Sequence, residues 1–286
     1  MRDLPTALIE RARSYVDGTV DPAVPRDAAT VVLLRDGASA GGLEVYLLRR
    51  VSSMSFAAGM HVFPGGSVDP RDAEHAVAWS GPAPAEWASR LGCDERLARA
   101  LVCAAVRETF EESGVLLAGT SPDTVVADTT GDDWEADRLA LLDRSLSFAD
   151  LLDRRSLVLR GDLLAAWAHW ITPEFEPRRF DTRFFVAAMP GGQRTRHVGG
   201  EADRVAWVRV ADAVARYERG EMPMLPPTAA TLRELTAYDE VGAVLAAHPP
   251  IAPVTPRPVI DGDDLRLVVD GPDGEVAADA VLRSRA

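Results

Sequence analysis

Residues 97–117 read Leu-Ala-Arg-Ala-Leu-Val-Cys103-Ala-Ala-Val106-Arg107-Glu108-Thr109-Phe110-Glu111-Glu112-Ser-Gly114-Val115-Leu-Leu. The spacing predicts one long helix. At about 100° per residue, Glu112 falls near +40° and Glu111 near −60° from Glu108, so three carboxylates share a face. Cys103, Val106 and Phe110 fall on the opposite face and give it an apolar surface to pack. Asp94 reads as the N-cap and Gly114 as the stop.

Like charges at i,i+3 and i,i+4 destabilise a helix by roughly 0.2–0.5 kcal/mol per pair, so something must compensate them. Bulk solvent suffices on a wet face, and charged runs on helices are usually solvated. A hard divalent cation is the other solution, because clustered carboxylate oxygens are its natural ligands. The apolar opposite face and the stop at Gly114 favour the cation. So does the upstream Phe63-Pro64-Gly65-Gly66, which can bring bare backbone close to an anion or metal.

These residues resemble the signature of the Nudix hydrolases. Its second half is matched by Arg107, Glu108, Glu111, Glu112, Gly114 and Val115, with Thr109 where an aliphatic residue is usual. Its first half is matched by Gly65 and Gly66, with Asp72 where the family has Glu. Arg107 follows Asp72 by 35 positions, an insertion of about 27 residues relative to the family, long enough to be a functional loop. The interrupted box looks like the coenzyme A diphosphatase branch. So do Leu47, Leu48, Arg50 and Gly59 ahead of the Phe-Pro-Gly-Gly, and the wording from Trp170 to Pro173 and from Arg179 to Phe185. One departure is Ser55, where that branch has a second arginine. The resemblance spans about Thr30 to Thr236.

Composition bounds the remaining classes. The chain has 286 residues, 47% hydrophobic, enough for a real core. A net charge of −13 argues against non-specific nucleic-acid binding. All 31 basic residues are arginines, which excludes lysine-centred chemistry. Cys93 and Cys103 are too few for a disulfide framework or a cysteine metal site. No run reaches the length of a signal peptide or a membrane span, so a cytoplasmic protein is expected.

Along the chain, 28–35 and 43–51 read as an antiparallel hairpin, followed by a short strand at 60–63. The first insertion, 67–93, has helix-compatible pieces around 73–79 and 85–91, with Trp79 and Trp87 as packing anchors of a small lid. A strand at 115–117 precedes the second insertion, 120–168, with helical patterns near 134–144, 147–154 and 160–168. Strands follow at 180–189 and 204–210, and helices at 211–219 and 227–246. Residues 1–27 form an N-terminal extension, 28–247 the main domain, and 248–286 a Pro-rich linker and terminal hairpin. The five histidines show no paired ligand spacing and read as structural.

The resemblance implies an α/β fold, a Nudix-type α/β/α sandwich with a mixed sheet plus helical insertions. It also implies a Mg²⁺- or Mn²⁺-dependent hydrolase that cuts coenzyme A or acyl-CoA to 3′,5′-ADP and (acyl-)4′-phosphopantetheine. The metal would be held by Glu108, Glu111 and Glu112 with backbone at Gly65 or Gly66, and Arg107 would orient a glutamate. The base is left open between Glu111 and Glu201. Arg50, Arg178 and Arg179 are candidates for substrate phosphates, and Arg183 is a further forked donor nearby; any one of the 178–183 arginines read alone is a surface charge flanking a strand. The expected partner is a small nucleotide, with neither nucleic acid nor membrane, and a homodimer is possible. Alternatives are an ADP-ribose or dinucleotide pyrophosphatase and a non-catalytic nucleotide-sensing module. Thr129 and Thr130 stand where ADP-ribose relatives usually have proline, and all three box glutamates are present.

Overall fold

Val31 and Leu33 of the first strand are buried on one side of a sheet, and Val32 and Leu34 on the other. That continuous apolar run marks a strand covered on both faces. The computed structural model describes residues 6–37, 42–51, 57–73, 77–196, 202–262, 264–271 and 274–278. In chain order the elements are α1 (Thr6–Val16), β1 (Arg26–Asp36), β2 (Leu43–Arg50), β3 (His61–Val62), β4 (Gly65–Ser67), β5 (Trp79–Ser80), α2 (Pro84–Leu91), α3 (Glu95–Ser113) and β6 (Ala118–Gly119). Next come α4 (Asp132–Leu142), α5 (Phe148–Arg154), β7 (Val158–Arg160), β8 (Leu164–Ile171), β9 (Phe180–Ala188), β10 (Ala202–Arg209), α6 (Val210–Glu218), α7 (Pro226–Leu235) and α8 (Val241–Leu245). The last elements are β11 (Pro253–Val254), β12 (Arg257–Asp261), β13 (Asp264–Gly271) and β14 (Gly274–Ala277).

The central sheet is mixed, in the order β10-β2-β1-β9-β8-β11, with β3 on β2 and β4 on β1. The β1–β2 pair is the antiparallel hairpin expected from the sequence, and β9 runs parallel to β1 in the middle of the sheet. One face packs α2 and α3 around Val31, Leu33, Phe110 and Phe185. The other packs α6, α7 and α8 around Val32, Leu47, Trp167 and Val186. The result is a three-layer α/β/α arrangement. A small separate cluster of Ala12, Phe175 and Leu265 forms where α1 packs against β12 and β13 and the β8–β9 connection. Among the described residues no helix is long and apolar enough to cross a membrane.

Several expectations are corrected. The α-helix expected over 160–168 is absent: only Gly161–Leu163 makes a 3-10 turn, and Leu164–Ile171 is strand β8. An apolar run with little polar punctuation fits a buried strand as well as a helix, and pairing with β9 decides for the strand. Of the piece expected to be helical at 73–79, residues 74–76 lie outside the described residues, Ala73 ends a 3-10 turn, and Trp79 belongs to a strand paired to β7. The strand after Gly114 falls at Ala118–Gly119 instead of 115–117. The helix expected over 227–246 is two, α7 and α8, and the linker over 248–258 holds β11 and the start of β12. Trp87 is fully buried against Phe185, ring centroids 5.7 Å apart, so it anchors the sheet core and not a lid.

Candidate active site

Asp94 caps α3, accepting the Leu97 N–H at 2.8 Å. The helix stops at Gly114, whose φ of 75° lies in the left-handed region. A Cβ there would also meet Arg196 Nε at 2.6 Å. With both ends fixed, Cys103, Val106 and Phe110 enter the core, and Glu108, Glu111 and Glu112 line a cavity. The unusual Thr109 is fully buried and donates to the Ala105 carbonyl at 2.7 Å, so its hydroxyl is satisfied within the helix.

Arg107 is the hub. Its Nη1 donates to Glu108 Oε1 at 2.7 Å and to Glu111 Oε1 at 3.1 Å. Nε and Nη2 fork onto Asp72 at 3.1 and 3.0 Å, and Nη2 also reaches the Ser67 carbonyl at 3.0 Å. The two halves of the interrupted motif, 35 positions apart, thus close on one guanidinium. The intervening chain leaves through β5 and α2 and returns down α3, which brings Asp72 back to the helix.

Strand β4 supplies the opposing wall. Gly65 pairs with Thr30 of β1, and a Cβ on it would lie 2.5 Å from the Ala29 carbonyl. Its N–H donates to Glu112 Oε2 at 2.8 Å. A Cβ on Gly66 would sit 2.6 Å from the Glu108 carboxylate. Glycine is needed at both positions because strand backbone and helix carboxylates approach to contact distance.

Burial raises the Glu108 pKa to about 7; Arg107 pulls it down and Glu111 pushes it up. Burial likewise raises Glu111 and Asp72 against the pull of Arg107. Burial works against the Arg107 charge, but Glu108, Asp72 and Glu111 outweigh it and its pKa is raised. Three partly desolvated carboxylates therefore share one cation, leaving local negative charge in excess.

Among the described residues no three His, Cys, Asp or Glu side chains already converge as a metal cage; Arg107 and the Gly65 N–H engage the carboxylates instead. The donor chemistry nonetheless fits a hard divalent ion. The oxygens belong to Glu108, Glu111 and Glu112, they carry excess charge, and the missing Cβ at Gly66 lets the β4 backbone come up against the Glu108 carboxylate.

The cavity has a volume of about 890 Å³. Besides the carboxylates, its lining includes Leu141, Leu146 and Phe148 of the α4–α5 segment and Trp170, Phe175 and Phe184. Of the second insertion, this segment faces the cavity. In the first, Ser67, Asp69, Arg71 and Asp72 do so, but α2 does not.

Arg50 and Arg178 line the cavity. Arg179 does not: it is buried and donates to the Thr172 and Ala23 carbonyls at 3.0 and 2.8 Å, a clip between backbone segments. Arg183 is also turned inward, bonded to Asp181, which accepts His169 Nε2 at 2.5 Å as well. Glu201 lies outside the described residues. Asp72 bonds Arg107 directly, although its position six residues past Gly66 was the only signal for it. Arg71 and Arg144 carry no motif signal. Arg71 holds the Asp69 carboxyl down at about 2 and donates to the Arg144 carbonyl at 3.1 Å, tying the first insertion to the turn after α4.

Residues 94–235 match the family model described as the NUDT19 Nudix domain. The chain is 26% identical over 239 residues to nudix hydrolase 7 of Caenorhabditis elegans, covering 82% of this chain and 68% of that protein. It is 25% identical over 229 residues to the acyl-coenzyme A diphosphatase NUDT19 of Gallus gallus, covering 64% of this chain and 58% of that protein, so it spans little more than half of that relative's length. Among solved structures, a NUDIX hydrolase from Alicyclobacillus acidocaldarius superposes with a TM-score of 0.65 at 31% identity, covering 78% of this chain and 96% of that one.

Proposed function

Because this chain belongs to the Nudix hydrolase family and acts on diphosphate bonds, we propose that its substrate is coenzyme A or an acyl-CoA. The products are then 3′,5′-ADP and the (acyl-)4′-phosphopantetheine. One observation carries this reading: a single cavity of about 890 Å³ is lined both by the carboxylates of α3 and by a set of apolar side chains. A diphosphate that joins a charged nucleotide to an extended, partly apolar arm calls for both kinds of lining. The likeness to the acyl-coenzyme A diphosphatase supports it, as does the interrupted motif closed by Asp72 and Arg107.

A bound Mg²⁺ or Mn²⁺ would neutralise phosphate charge and lower the pKa of an attacking water; Glu108, Glu111 and Glu112 are the residues that would hold it. Arg107 acts as a positioning residue, holding Glu108 and Glu111 on one side and Asp72 on the other. The Gly65 N–H fixes the Glu112 carboxylate. Arg50 and Arg178 meet phosphate oxygens, including the 3′-phosphate, through forked donors. Phe148, Trp170, Phe175 and Phe184 exclude water from the arm. The water proton passes to a carboxylate, Glu111 or Glu201.

The test is a substrate screen with Mg²⁺ over coenzyme A, acyl-CoA, dephospho-coenzyme A and ADP-ribose. A charged hydrogen bond to the 3′-phosphate is worth roughly 1.5–3 kcal/mol, so dephospho-coenzyme A should show a kcat/KM lower by about ten- to a hundredfold. Equal cleavage of the two, or ADP-ribose outrunning both, would overturn the coenzyme A reading and leave a general nucleotide pyrophosphatase.

A further inference from the structure

Helix α3 ends where its carboxylates stand, and an α-helix leaves its last carbonyls without partners inside the helix. The Phe110 carbonyl accepts the Gly114 N–H at 2.9 Å, and the Ser113 carbonyl accepts the Arg196 N–H at 3.1 Å. The Glu111 carbonyl is served differently. The Val115 N–H, which a continuing helix would offer it, is donated to Ser113 Oγ at 3.2 Å. Its place is taken by a side chain 27 positions away: Arg138 Nη1 donates to the Glu111 carbonyl at 3.0 Å.

Arg138 lies on α4, in the second insertion, and is only 2% exposed. A buried charge is costly unless it is paired and hydrogen-bonded. Here Nε and Nη2 fork onto Glu135 at 2.9 and 2.6 Å, which pairs the charge within α4 and leaves Nη1 for α3. The planar guanidinium serves both partners at once, which a lysine ammonium in the same place could not. One turn earlier on α4, Trp134 meets Phe110 edge-on with ring centroids 6.0 Å apart, so α4 lies against the last turn of α3. One turn later, Leu141 is buried in the lining of the hydrolytic cavity. Helix α4 therefore carries a piece of the cavity wall and a grip on the carboxylate helix on one rigid element. Arg71 makes a second tie, from the Arg144 carbonyl at 3.1 Å to Asp69, whose N–H donates to Asp72 at 2.9 Å.

We propose that Arg138 is a positioning residue of the hydrolysis: by holding the Glu111 main chain it fixes the carboxylate end of α3 and keeps it in register with the cavity wall of the second insertion. Glu111 is then held from two sides, its side chain by Arg107 Nη1 at 3.1 Å and its carbonyl by Arg138. A misplacement of about 1 Å at a reacting centre costs up to about a hundredfold in rate. Loss of Arg138 is mild for the fold by comparison. The Glu135 carboxylate it leaves behind is 37% exposed and stays hydrated, and the orphaned carbonyl should lower Tm by about 5 °C or less. The inference rests on Glu111 belonging to the hydrolytic site, as proposed above, and not on which diphosphate is cut.

The test compares wild type, Glu111→Gln, Arg138→Met and Arg154→Met in Mg²⁺-dependent hydrolysis of coenzyme A and of ADP-ribose, with the fold followed by circular dichroism. Arg154 is the control, because it pairs with Asp137 inside the second insertion and is 55% exposed. Arg138→Met should lower kcat by about tenfold or more on each substrate that is cleaved, move KM by less than about threefold, and keep the wild-type spectrum. Arg154→Met should keep kcat within about twofold of wild type. The inference is overturned if Arg138→Met keeps the wild-type kcat, if only KM rises, or if Arg154→Met loses as much. Glu111→Gln separates the two readings. Intact turnover there removes Glu111 from the site and takes the inference down with that assignment, whereas its loss beside a wild-type kcat in Arg138→Met sinks the inference alone. Should Arg138→Met lose its fold, Arg138→Lys, which keeps the buried charge and loses the fork, carries the same test with kcat lower by about fivefold or more.

Discussion

Replacing Arg107 by Met keeps most of the side-chain volume and removes the one cation shared by Asp72, Glu108 and Glu111. The guanidinium makes hydrogen bonds to all three and to the Ser67 carbonyl, and its side chain is only 11% exposed. Removing one partner of such a buried pair costs about 3–5 kcal/mol. An unfolding entropy of about 2.1 cal/mol/K per residue over this chain is about 0.6 kcal/mol/K, so Tm should fall by about 5–8 °C. The loss should depend on pH. Asp72, Glu108 and Glu111 already have raised pKa values, and without the arginine they rise further. Protonating them removes the repulsion that the arginine relieved, so the penalty should be largest near pH 8 and shrink toward pH 5. Arg107→Lys, which keeps the charge but not the fork, should fall between the variant and wild type. Thermal unfolding in EDTA across pH 5–8 measures all of this. An unchanged Tm at pH 8, or an equal loss at both ends, would refute the charge-sharing argument and reduce Arg107 to a packing residue.

Glu108 supplies an independent check. Its folded pKa is raised from 4.5 to about 7, so its proton-linked stability is fully present below pH 4.5 and lost as pH rises through about 7. Metal-free Glu108→Gln should therefore gain on wild type as pH rises, by up to about 3 kcal/mol at pH 8, at about 1.36 kcal/mol per pKa unit; a gap independent of pH, read by denaturant titration, would count against it. Gly66→Ala places a methyl 2.6 Å from the Glu108 carboxylate and should cut turnover at least about tenfold with little change in Tm, one decade being 1.36 kcal/mol of barrier; wild-type turnover would show that the approach of β4 to α3 is not needed. Arg178→Ala should raise KM for coenzyme A more than for dephospho-coenzyme A, and equal effects in steady-state kinetics would remove Arg178 from the 3′-phosphate.

The sheet hairpin, the face of α3 and both ends of that helix were legible from spacing alone. Cys103, Val106 and Phe110 had to point away from Glu108, Glu111 and Glu112 once the stretch was helical, and they do. The role of β8 was not legible, because Leu164–Ile171 lacks the alternation that separates a half-buried strand from a helix. Arginine identity was a weak guide as well. Arg178 and Arg179 are neighbours with the same chemistry, yet one lines the cavity and the other is buried against the carbonyls of Ala23 and Thr172. Only the tertiary path of the β8–β9 connection decides between them. The apolar part of the cavity lining was equally hidden, since Phe148 and Trp170 reach it from separate segments.

The decisive measurement is hydrolysis of coenzyme A by wild type and Glu112→Gln with and without Mg²⁺, products identified by mass spectrometry. Glutamine keeps an oxygen to accept the Gly65 N–H, now at 2.8 Å, and loses only the charge. Wild type should give 3′,5′-ADP and 4′-phosphopantetheine with Mg²⁺ and nothing in EDTA. Glu112→Gln should keep its Tm and lose about a hundredfold or more in kcat, about 2.7 kcal/mol of transition-state stabilisation. Undiminished turnover in Glu112→Gln, or equal turnover in EDTA, would contradict the assignment of the α3 carboxylates to the metal and the chemistry.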